Sequence, residues 1–138
     1  MRKPFFLWLI VICCFVVCGE EDATAPTVES TDPADGATDV VVSTNIIVTF
    51  NESMDAATVQ ANYVDTQPSG TVQVSSDGFQ TVVRFSGGEA SNENKTYTFT
   101  PMIDLDSATT YQIKITTGAQ DVAGNPLESE FISNFTTG

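Results

Sequence analysis

The chain has no histidine anywhere in its 138 residues. That removes Ser-His and Cys-His nucleophilic pairs and every imidazole metal centre in one step. Cysteine is nearly as scarce, since Cys13 and Cys14 lie inside an apolar amino-terminal run and Cys18 stands just after it. A domain beginning at Cys18 has no second thiol, so an internal disulfide is excluded and its core must cohere by packing alone. The one tryptophan, Trp8, belongs to the same run. Basic residues are few as well: after residue 17, Arg84, Lys95 and Lys114 stand against 18 acidic residues, a net charge of −15. Such a surface repels phosphate backbones and suits a solvated extracellular exterior, so nucleic acid is not expected as a partner.

What is present begins with an export pattern. Arg2 and Lys3 precede an uncharged stretch from Phe5 to Val17, and Cys18 is followed by Glu20, Glu21 and Asp22. The apolar run falls short of the roughly 20 residues that span a bilayer. Residues 1–17 therefore read as a lipoprotein-type signal peptide, Cys18 as the lipidated first residue, and residues 18–25 as an acidic tether. The expected address is the cell envelope, as an outer-membrane or cell-surface lipoprotein, with the membrane as a partner through the lipid. Residues 26–138 then form a single domain without an internal repeat, long enough for one core between two sheets.

Within that domain the period of two dominates. Ile46, Val48 and Phe50 alternate with Ile47 and Thr49, Tyr97 and Phe99 with Thr96, Thr98 and Thr100, and Tyr111, Ile113 and Ile115 with Gln112 and Lys114. These are half-buried strands. A first edge strand is expected over 27–30, a turn over 32–36, a capped helical turn from Asp55 with Met54 and Val59 as a lid, and a weaker strand over 61–65 with Tyr63 inward. Asp77-Gly78 predicts a hairpin joining Val72 and Val74 to Val83 and Phe85. Residues 86–94, polar and glycine-rich, are expected to form an exposed loop, and a last strand is expected to bury Phe131 and Phe135.

Between the strands of Tyr97 and Tyr111 sits Leu105-x-x-x-Thr109-x-Tyr111. This spacing resembles the tyrosine corner of immunoglobulin-like and fibronectin-type sandwiches, in which a tyrosine hydroxyl ties the crossover between sheets. Pro26, Val28, Pro33, Gly36, Ala37, Val48, Phe50, Met54 and Asp55, followed by Asp121-x-x-Gly124-Asn125-x-Leu127 and Phe131-x-x-x-Phe135-x-Thr137, resemble the bacterial Ig-like domain of the surface-layer (SbsA) type. The resemblance implies an all-β fold, an immunoglobulin-like or fibronectin-type Greek-key β-sandwich of about seven strands without a disulfide. It also implies a non-enzymatic module with a structural or adhesive role toward a surface protein or polysaccharide.

Two alternatives of a different class follow from the residues. Carboxylates and amides on flexible loops suit a hard cation, and Asp121 with Asn125, or Asp104 with Asp106, are the Ca²⁺ candidates if their loops meet at one pole. No other cofactor is expected. An extracellular carbohydrate would need exposed rings, for which only Tyr63 and Phe79 are available. No catalytic residue is assigned, since Asp104 and Asp106 flank the buried Leu105 anchor and are expected to point outward.

Overall fold

The computed structural model describes residues 23–138. The signal assigned to 1–17, the Cys18 anchor and most of the tether lie outside them. Eight strands among the described residues form two four-stranded sheets. The first holds β1 (Val28–Asp32), β3 (Ile46–Phe50), β5 (Phe85–Ser91) and β6 (Thr96–Pro101), in the order β1-β3-β6-β5 and antiparallel throughout. The second holds β2 (Ala37–Val40), β4 (Val72–Ser75), β7 (Thr110–Ile115) and β8 (Phe131–Thr137), in the order β2-β8-β7-β4, with β2 parallel to β8.

The alternation in the sequence decides which face of each sheet is dry. Ile46, Val48, Phe50, Tyr97 and Phe99 from the first sheet meet Val72, Val74, Tyr111, Ile113, Ile115 and Phe135 from the second, all buried. Each such side chain contributes about 1.5–3 kcal/mol on leaving water. Edge-to-face pairs Phe50–Tyr97, at 5.9 Å and 81°, and Phe85–Phe99, at 6.0 Å and 65°, lock the rings of the first sheet. Met54 and Val59 close one end of the core around a 3₁₀ turn, Ala56–Thr58, whose first amides are met by the Asp55 carboxylate at Ala57 N, 3.1 Å.

Several expected elements differ. An additional short strand, β2, lies beside β8, and its four residues offer no alternation to read. Residues 86–91 are not a loop: they continue β5, which pairs with β6, and the turn is confined to residues 92–95, of which Asn92, Glu93 and Asn94 have positive φ. A sheet-edge strand with only Phe85 buried carries no apolar period, so its glycines read as a break. Asp77-Gly78 does not close a hairpin between paired strands. β4 pairs instead with β7, while Phe85 opens β5 in the other sheet; a single bond, Val83 N to Val74 O at 2.7 Å, links the two sides. Residues 61–65 are irregular, and their inward anchor is Asn62, with Tyr63 only half-buried. Phe131 is likewise half-buried.

Candidate functional site

The two ends of the sandwich carry different chemistry. At one end, β6 turns over into β7 through residues 102–109. Leu105 is buried there and donates its amide to Val42 O at 2.9 Å. The Tyr111 hydroxyl accepts from the Asp106 amide at 2.9 Å while its ring stacks on Phe135 at 5.6 Å and 18°. Thr109 N donates to Thr137 Oγ1 at 2.9 Å, and that hydroxyl donates onward to Asp106 O at 2.6 Å. The turn is completed by Ala108, at φ 51°, whose amide donates to Gly138 O at 2.9 Å. The hub of this network is Thr137 of the last strand, which the sequence marked only as the end of the Phe131-x-x-x-Phe135-x-Thr137 pattern and not as part of the corner.

Asp104 and Asp106 both stand exposed on this turn, as solvated residues beside the Leu105 anchor. Next to them opens a groove of about 370 Å³ whose walls include Val82, Val83, Arg84, Met102, Ile103 and Tyr111. Arg84 is held by its Nε donating to Tyr63 O at 3.1 Å, and Met102 by its amide donating to Arg84 O at 2.9 Å.

At the other end, Asp121 is 1% exposed and organises its own loop. One carboxylate oxygen accepts from Ala123 N at 2.9 Å and Asn125 N at 2.8 Å, and the other from Asn125 Nδ2 at 3.1 Å. Gly124, at φ 91°, lets the chain turn back on that carboxylate. Burial pushes the Asp121 carboxyl up, but hydrogen bonds with Asn125, Glu52 and Ala123 outweigh it and hold it below the usual carboxylate range. An isolated bridge between Met54 and Asp121 ties this loop to the segment that follows β3.

Asp104 and Asp106 precede β7 and Asp121 and Asn125 follow it, so a six-residue strand of roughly 20 Å separates the two sets. They do not meet at one pole. Among the described residues no group of three or more acidic or thiol side chains converges as a metal site would require. The two rings named for carbohydrate are half-buried, and Phe79 is covered by Lys114, whose Nζ lies 4.1 Å from the ring centroid.

Comparison with known proteins agrees with this architecture. No curated protein matches the sequence. Among solved structures, domains 1–6 of the surface layer protein SbsC are 26% identical, with a TM-score of 0.57 over 83% of this chain and 14% of that one. The N-terminal part of the bacterial S-layer protein SbsC matches equally, over 83% of this chain and 24% of that one, with 26% identity and a TM-score of 0.57. This chain thus spans less than a quarter of those surface-layer structures. The copper resistance protein PcoC from Escherichia coli, 15% identical, shares the fold alone, with a TM-score of 0.60 over 81% of this chain and 99% of that one. Residues 22–137 match the family described as bacterial Ig-like domain, and the chain belongs to that family.

Proposed function

We propose that this chain is a non-enzymatic Ig-like module of the cell envelope, held at the membrane through a lipid on Cys18, with a structural or protein-interaction role. One observation carries the reading: the buried polar side chains at the two ends of the sandwich are engaged in fastening the fold, while Asp104 and Asp106 stand solvated on the corner turn. Asp121 is spent on its own loop, and Thr109, Thr137 and Tyr111 on the corner. Likeness to a surface-layer protein supports a place outside the cell. The export pattern of residues 1–22 supports the anchor.

Membrane fractionation of cells carrying the wild type and Cys18→Ala tests the anchor. The wild type is expected in the membrane fraction, sensitive to globomycin, and the variant in the soluble exported fraction. An unchanged distribution of the variant would overturn the lipid anchor. The interaction role is tested by photo-crosslinking on intact cells, scanning exposed positions around the module; failure to capture any envelope component from every position would leave only a spacer.

A further inference from the structure

We infer that the groove beside the tyrosine corner is a docking site for a polypeptide segment that places an apolar side chain next to a lysine or arginine. The inference rests on the protein-interaction reading above and names the partner's chemistry.

The first observation is where the apolar surface lies. Six large apolar side chains are exposed among the described residues, and four of them, Val41, Val64, Met102 and Ile103, gather at the corner end. Ile103 is 79% exposed and lines the groove. Val41 precedes Val42, which accepts the Leu105 amide, and Val64 follows Tyr63, which holds Arg84. Met102 and Ile103 line the groove itself, with Val82 and Val83, and apolar surface gathered in one concavity marks an interaction site more reliably than scattered exposed residues do.

The second is charge. Asp104 and Asp106 stand at the rim with exposed carboxylates, two against the one cation in the groove wall, Arg84, whose Nε donates to a backbone carbonyl. The described residues carry 15 acidic side chains against three basic ones. That field disfavours an anionic amphiphile and a second copy of the same chain, and draws in a cationic segment. An apolar floor with an acidic rim therefore selects an occupant that is both apolar and basic.

The third is rigidity and direction. Backbone bonds from Leu105 and Met102 and the Tyr111 hydroxyl fix the groove walls, so little order has to be imposed on binding. β1 begins opposite Phe50, at the end of the sandwich that carries Met54 and Asp121, whereas the groove adjoins the start of β7. A module tethered by its amino terminus would point the groove outward.

The test uses the full-length chain, immobilised, with two probes: a short synthetic peptide alternating leucine and lysine, and its counterpart alternating leucine and glutamate. The lysine peptide is expected to bind and the glutamate peptide not. Ile103→Asp, and separately Asp104→Asn with Asp106→Asn, are each expected to weaken binding about tenfold, while Val122→Asp at the opposite end leaves it unchanged. All four positions are exposed, so folding is retained. Equal binding of both peptides, loss with Val122→Asp alike, or no effect of Ile103→Asp would overturn the proposal. So would a concentration-dependent dimer abolished by Ile103→Asp, which would make a second copy the occupant. A photo-crosslinker at position 103 on cells separates the two levels of the argument. Capture from other faces but not from 103 removes the groove and keeps the interaction role; capture from no position removes both.

Discussion

Two tyrosines show how the same side chain can hold a fold or merely fill it. Both Tyr111 and Tyr97 sit at inward positions of alternating strands, 4% and 3% exposed. The Tyr111 hydroxyl accepts the Asp106 amide, whereas the buried Tyr97 hydroxyl has no hydrogen-bond partner. Tyr111→Phe leaves a part-buried amide unsatisfied and is expected to cost about 1–3 kcal/mol, read as a lower urea midpoint. Tyr97→Phe removes a polar atom whose desolvation nothing offsets, so it is expected to be neutral or to stabilise by up to about 1 kcal/mol. A loss for Tyr97→Phe as large as that for Tyr111→Phe would show that its hydroxyl is bonded after all. Burial and the neighbouring Asp55 carboxylate push the Tyr97 phenol up, so both oppose its ionisation. The apolar alternation of the two strands was legible in the sequence. The difference between the two hydroxyls was not, because it depends on which backbone group the fold carries past each ring.

At the scale of elements, the segments that sequence reasoning misplaced are held by polar side chains rather than by apolar periodicity. Residues 61–70 are wound around Asn62, whose Nδ2 donates to Gln67 O and to Ser69 Oγ at 3.0 Å and whose Oδ1 accepts from Gly70 N at 3.2 Å. Its backbone oxygen also accepts the Phe85 amide at 2.8 Å, which pins the crossing segment to β5. Asn62→Ala is expected to lower stability by about 2–3 kcal/mol in chemical denaturation, since several partners lose their bond at once. The connection from β4 toward β5 is organised by Asp77, which accepts from Ser75 Oγ, Thr81 N and Thr81 Oγ1. The Thr81 hydroxyl first, then its amide and Ser75, lower the Asp77 pKa from 3.8 to about 2. Because the folded value is depressed, the stability Asp77 adds is fully present above pH 3.8 and is lost as the pH falls through about 2. The melting temperatures of the wild type and Asp77→Asn are therefore expected to differ near neutral pH and to converge at about pH 2. A constant gap would remove the carboxylate from this role. Asp-Gly is the same signal in a hairpin and in a crossover between sheets, so local chemistry could not say which sheet Phe85 would join.

For the molecule as a whole, sign of charge is the property that packing does not explain. With 15 acidic and three basic side chains on the described residues, the folded surface repels itself, and compaction is opposed wherever salt does not screen it. Raising NaCl from a few millimolar to about 0.5 M, where the screening length drops below about 5 Å, is expected to raise the melting temperature by several degrees, equivalent to roughly 1 kcal/mol. Calcium chloride at matched ionic strength separates that general effect from a specific one. The Asp121 oxygens already accept from Ala123 and from the amide and side chain of Asn125, and Asp104 and Asp106 lie at the far end of β7, so calcium is expected to add nothing beyond screening. Binding to the folded state alone would have to raise the midpoint further, in proportion to the logarithm of the calcium concentration. A further rise abolished by Asp121→Asn would instead assign a cation to that loop, and one abolished by Asp104→Asn with Asp106→Asn would assign it to the rim of the groove, where it would compete with the basic segment inferred above.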